Sequence, residues 1–120
     1  MIFVSEEKIK TVLESLREIK GVHGAALIEK FGLVAGEALP GWLDSDAISA
    51  MVTLILKASQ RATKELEQGA FIRATLENAK GQLIFAEAGG KIVVVVATNE
   101  AKLGIINIKL NAAMNHLKDL

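Results

Sequence analysis

The chain has 120 residues, no cysteine, and 14 basic against 14 acidic side chains, so its formal net charge is zero. That length suits one domain with its own core, and the missing cysteines exclude a disulfide framework, a thiolate metal site and a thiol nucleophile. The balanced charge argues against nucleic acid or an anionic membrane surface as partner. The hydrophobic fraction is 51% with only 4% aromatics, which calls for an aliphatic core and leaves more apolar surface than a small domain usually carries. The longest apolar run, Ile92 to Ala97, is far below the roughly 18 residues of a membrane span, and Met1 to Glu7 lacks the basic start of a signal peptide. No membrane insertion is expected, so the excess apolar surface should meet another protein.

In chain order, Ser5 to about Lys20 carries Ile9, Val12, Leu13, Leu16 and Ile19 at the spacing of an amphipathic helix. Ser5 is the expected N-cap, Val4 and Ile9 an expected hydrophobic staple, and Gly21 the stop. His23 to Glu29 and Leu33 to Ala38 read as a hairpin turning at Lys30-Phe31-Gly32. Asp44 or Ser45 should cap a longer second helix that runs to about Gly69. Its polar stripe, Ser49, Thr53, Lys57, Gln60, Lys64 and Glu67, is narrow. Its apolar positions, from Ala47 through Met51, Leu54, Ile55 and Ala58 to Leu66, span an arc of about 200°. A helix lying on one sheet needs little more than ~100°, so this one is expected to bury two faces.

Three strands follow: Phe71 to Asn78, Gln82 to Glu87 and Lys91 to Thr98, with Gly89-Gly90 as a two-residue hairpin turn. Ile92 to Val96 does not alternate, which predicts a central strand covered on both faces. Asn99 is the expected cap of a last helix whose core stripe is Leu103, Ile106, Leu110, Ala113 and Leu117. Ile105, Ile108 and Ala112 form a second apolar strip on its other side.

Catalytic chemistry is hard to place on this chain. Gly90-Lys91 has Phe85 where a phosphate-binding loop needs glycine and Ile92 where it needs Ser or Thr. His23 and His116 are isolated, with no metal-ligand spacing around them. Asp44 and Asp46 sit at a helix start, where capping explains them, and Glu65 and Glu67 belong to a solvated face. Arg73 admits an arginine-finger reading but is explained as a charge that blunts an edge strand. Trp42, in a Pro-Gly loop, either covers the end of the core or anchors a partner. The chain is not expected to be an enzyme, and no cofactor or metal is expected.

Three stretches carry a resemblance. Gly21-Val22-His23-Gly24-Ala25-Ala26-Leu27-Ile28 with Gly32-Leu33-Val34 is the first. The hairpin Gly81 to Glu87 leading into the valine-rich strand is the second, and Ala101-Lys102-Leu103-Gly104-Ile105-Ile106-Asn107-Ile108-Lys109-Leu110 is the third. Together they resemble the Roadblock/dynein light chain family, with Lys102 in place of the commoner asparagine. The resemblance implies a single domain over residues 1–120 of α/β (α+β) class and profilin-like architecture. In it a five-stranded antiparallel sheet lies between the second helix on one face and the first and last helices on the other.

The resemblance also implies a cytoplasmic homodimer, formed through the second helix and the third strand, that regulates a small GTPase of the Ras-like superfamily. Bacterial members of the family accelerate hydrolysis by reshaping the GTPase's own residues. A passive scaffold or adaptor subunit of a motor or signalling assembly is the alternative, and a ligand-sensing domain with a pocket under a helix is a third. The dimer contacts are expected at Met51, Ile55, Ala58 and Ala62 on the helix and at Phe71, Arg73 and Thr75 on the strand. The GTPase is expected at Ser49, Thr53, Lys57 and Gln60, with Ile105, Ile108 and Ala112 as a rival surface.

Overall fold

Ile92, Val93, Val94 and Val95 are all buried, because their strand lies in the middle of the sheet with helices on both sides. The computed structural model describes residues 2–118 and Leu120. The elements are α1 (Ile2–Arg17), β1 (Val22–Ile28), a 3₁₀ turn (Lys30–Gly32), β2 (Val34–Ala38), α2 (Ser45–Glu65), β3 (Arg73–Asn78), β4 (Gly81–Ala88), β5 (Lys91–Ala97) and α3 (Leu103–Leu117). The five strands run in the order β2-β1-β5-β4-β3, every pair antiparallel. This is the expected sheet, with β5 at its centre.

Successive side chains of a strand point to opposite faces, and the sheet therefore carries two cores. Ala25, Leu27, Ile84, Ala86, Val93 and Val95 meet Leu13 and Leu16 of α1 and Ile106, Leu110 and Leu117 of α3. Ile28, Phe85, Ile92 and Val94 meet Ile48, Val52 and Leu56 of α2. One helix on one face and two on the other is the arrangement expected from the sequence. The Gly89-Gly90 turn closes β4 onto β5 with both residues at positive φ, 59° and 83°, which a two-residue hairpin of this hand requires.

Helix ends depart from expectation. α1 begins at Ile2, so Ser5 lies inside it and is not its cap; no Gly or Pro precedes Ser5 to stop the helix. The Val4 side chain of the expected staple lies outside the described residues. α1 ends at Arg17, and α2 ends at Glu65 rather than near Gly69, with Glu67 and Gly69 in the left-handed region that breaks a helix. The Asp44 cap is as expected, its carboxylate accepting from the Asp46 N–H at 3.0 Å. Asn99 is not the cap of α3. The N-cap position falls on Lys102, which makes no side-chain cap, while the Asn99 amide donates to the Asn78 and Ala79 carbonyls at 3.3 and 3.0 Å. Asn99 therefore closes the β3–β4 turn.

Gln82 anchors the approach to α3. Its Nε2 donates to the carbonyls of Thr98 and Ala101, both at 3.1 Å, and so ties β4 to the segment that leads into α3. Gln82→Ala takes the side-chain donor from the carbonyl of buried Ala101 and leaves the Thr98 carbonyl with only the Ala101 N–H at 3.3 Å, at a cost of about 1–2 kcal/mol. Thermal unfolding should show a Tm lower by roughly 4–10 °C, and an unchanged Tm would remove the anchoring role.

Candidate docking surface

At about 100° per residue, α2 presents three longitudinal bands to the outside of its buried stripe. Met51, Ile55, Ala58 and Ala62 form one flank within an arc of about 60°. Ser49, Thr53, Lys57 and Gln60 form the opposite flank. Between them runs the solvent-facing ridge of Ala47, Ala50, Leu54 and Arg61, with an exposed Arg61–Glu65 ion pair at 3.0 Å.

The polar flank is not the exposed partner face the sequence suggested. Ser49 is 2% exposed, and its hydroxyl donates to the Gly32 carbonyl at 2.6 Å. Thr53 lies one turn further on, its Oγ1 buried beside Gly32 without a hydrogen-bond partner. These two residues seat the 3₁₀ turn against α2, and Ser49 is removed from the expected contact set for that reason. Only Lys57 and Gln60 of the four are exposed. They border a hollow of about 260 Å³ with Leu56, Ile92, Glu29 and Glu87. That volume lies below the ~300–1,000 Å³ of small-molecule pockets.

The turn seated by Ser49 presents Phe31 to solvent. Phe31 is 93% exposed, and its neighbours Leu33 and Leu54 are 65% and 69% exposed. Its backbone is left-handed, φ 68° and ψ 16°, a region that bulky residues avoid at a cost of about 1–2 kcal/mol. Phe31, Ala50 and Leu54 line one shallow depression along the α2 ridge. Sequence patterning missed this surface because Phe31 reads as a turn residue, and because Leu54 counts toward an apolar arc without saying which part of that arc is covered.

The apolar flank of α2 is open on the side away from the 3₁₀ turn. Met51 is 56% exposed and Ile55 half-buried, while Ala58 and Ala62 are exposed. On the same sheet face Ala74, Leu76, Leu83 and Val96 are only partly covered. The adjoining edge strand, β3, pairs with β4 over six residues without a register shift. The Glu87 N–H donates to the Ile72 carbonyl. Hydrogen-bonded pairs alternate along an antiparallel ladder, so Ala74 and Leu76 bond to β4, and the N–H and C=O groups of Arg73, Thr75 and Glu77 face the open edge.

The other edge, β2, is protected. It has five residues and an irregular register with β1, and exposed Glu37 and nearby Pro40 further discourage pairing.

The remaining candidates fall elsewhere. Phe71 stacks on Phe85 of its own chain at 5.9 Å. Arg73 is half-buried and donates to Asn107 Oδ1 of α3 at 3.5 Å, so its guanidinium is turned inward and does not reach out as a finger. Trp42 is 67% exposed and meets His23 edge-on at 5.0 Å. No cluster of three or more His, Cys, Asp or Glu that could hold a metal occurs among the described residues. No helix among them is long and apolar enough to cross a membrane.

The sequence model of the Roadblock/LC7 domain matches residues 8–98. The chain belongs to the Roadblock/LC7 family. Among its relatives, the uncharacterized protein MJ0310 of Methanocaldococcus jannaschii is 30% identical over 110 residues, 92% of this chain and 96% of that protein. MglB of Myxococcus xanthus superimposes with a TM-score of 0.86 at 21% identity, over 94% of this chain and 86% of that one. A structure described as MglB with tetrameric arrangement also gives 0.86, at 24% identity, over 96% and 88%. At such identities the structural likeness is one of fold, and it agrees with the Roadblock sheet and helix arrangement derived above.

In this Roadblock domain Phe31 holds a strained, solvent-facing position that contributes no burial. Phe31→Asn tolerates the left-handed conformation better and should stabilise the chain by about 1 kcal/mol. Chemical denaturation should show a higher midpoint at unchanged slope, whereas a loss of stability would mean that the ring packs against the chain.

Proposed function

We propose that this chain is a single-domain, cytoplasmic Roadblock homodimer that binds a small GTPase of the Ras-like superfamily and modulates its nucleotide cycle, with no catalytic residue or cofactor of its own. The observation that carries the reading is the continuity of two unpartnered features. The open apolar flank Met51, Ile55, Ala58 and Ala62 lies on the sheet face that also leaves Leu76 and Leu83 part-covered, and β3 beside it offers free backbone groups at Arg73 and Thr75.

A two-fold axis beside β3 would pair that strand with its own copy and bring the two α2 flanks together. Both features would then be buried at once. Phe71 and Arg73 spend their side chains within their own chain, so Arg73's role in such an interface is through its backbone. The contrast between the protected β2 edge and the unprotected β3 edge supports this choice of strand. Membership of the Roadblock/LC7 family supports the GTPase as partner, and the tetrameric arrangement described for one MglB agrees with self-association.

Two measurements test the dimer. Light scattering should give twice the 12.8 kDa chain mass at micromolar concentration. Thr75→Pro removes an N–H that faces the open edge and leaves the β3–β4 ladder intact, so it should weaken the dimer at least tenfold with little loss of fold. A wild-type monomer, or a Thr75→Pro dimer of unchanged affinity, would sink the pairing.

The GTPase surface is proposed on the ridge that such a dimer would leave outward: Phe31, Ala50 and Leu54, with Thr53, Lys57 and Gln60 along its side. Tested against a panel of Ras-like GTPases, addition of the protein should change the rate of hydrolysis or nucleotide release of at least one of them. Leu54→Glu should lower affinity at least tenfold, about 1.4 kcal/mol, and Lys57→Glu should slow association by altering local charge. Binding without any change in either rate would leave the scaffold reading in place. Unaltered binding by both variants would remove this surface.

A further inference from the structure

α3 is apolar on two sides, and only one of them is covered. Ile106, Leu110, Ala113 and Leu117 are buried against the sheet and α1. Ile105 and Ile108 on the other side are 44% and 72% exposed, and Ala112 is exposed with them. A surface helix should be polar on its far side. Ile108 borders an open groove of about 740 Å³ between α1 and α3, also lined by Val12, Ala112 and Ala113.

The groove's rim has a charge bias. Lys8 on α1 and Lys109 on α3 stand on it, against one carboxylate, Glu7. A symmetric contact between two copies would set these basic rims against each other, which disfavours a second copy as occupant. The groove also lies on the opposite face of the sheet from α2, so neither the proposed dimer nor the proposed GTPase ridge covers it. Two side-by-side helices with an apolar seam offer the ridges into which a third helix packs.

We propose that the groove between α1 and α3 docks an amphipathic helix of a partner protein, apolar face on Ile108 and Ala112 and acidic flank against Lys8 and Lys109. Interaction surfaces on both faces of the sheet would let the protein hold two partners at once.

The test uses the full chain and a fluorescein-labelled synthetic helix with leucines at i, i+3, i+4 and i+7 and glutamates on both flanks. A control peptide carries lysines in place of the glutamates. Fluorescence anisotropy should show saturable binding of the acidic peptide at least tenfold tighter than of the control. Ile108→Glu should weaken it at least tenfold with unchanged circular dichroism, and Lys109→Glu should remove or reverse the preference for the acidic peptide. Equal binding of both peptides would overturn the proposal, as would binding indifferent to Ile108→Glu. A lower molar mass for Ile108→Glu by light scattering would also overturn it, because the groove would then be a contact between copies. No GTPase enters the experiment, so its outcome is independent of the proposed regulatory role.

Discussion

β5 is the element on which the rest of the molecule depends. Its side chains alternate between two separate cores: Val93 and Val95 under α1 and α3, Ile92 and Val94 under α2. A buried Val or Ile side chain contributes about 1.5–3 kcal/mol relative to exposure, and β5 places two on each face between β1 and β4, which also serve both cores. The consequence is a sheet that needs helices on both sides. The sequence supplies three α-helices among the described residues, and they divide two to one. The face with two helices holds the larger buried cluster, while much of the face with one is only partly covered.

That imbalance governs what the surface can do. α2 alone cannot cover five strands, so Ala74, Leu76, Leu83 and Val96 stay part-exposed beside it, next to an edge strand with free backbone groups. A single helix lying on such a sheet has a sheltered stripe, two flanks and a ridge, and each meets different chemistry. The flank with Ser49 and Thr53 is used internally to seat the 3₁₀ turn. The flank with Met51 and Ile55 is left apolar and open. The ridge carries Leu54 and lies beside Phe31, whose strained backbone has no stability rationale within the chain. Strain held at an exposed aromatic residue is characteristic of a contact surface.

The helix pair on the other face follows the same logic with a different result. α1 and α3 bury most of the central strands on their face, yet α3 remains apolar outward at Ile105 and Ile108. The sheet thus separates two exposed apolar surfaces, one beside α2 and one between α1 and α3.

Much of this was legible in the sequence because it depends on local periodicity. The unbroken run Ile92 to Val96 identified the central strand, since only a doubly covered strand dispenses with alternation. Helical spacing identified the core stripes of the first and last helices, and Gly89-Gly90 marked a two-residue hairpin. The sheet and helix arrangement was implied by the resemblance of three stretches to the Roadblock family. Which part of an apolar arc is covered, and what each polar group bonds to, was decided only by the tertiary structure. Ser49 reads as solvent-facing at its spacing on α2, and becomes buried because the Gly32 carbonyl, 17 residues earlier, needs a donor. Asn99 reads as a helix cap, and is drawn instead to carbonyls of a turn 20 and 21 residues away in the chain. Phe31 reads as an ordinary turn residue and stands fully in solvent. Periodicity reports which side of an element is apolar; long-range hydrogen bonds and the shape of the neighbouring surface determine whether that side is buried.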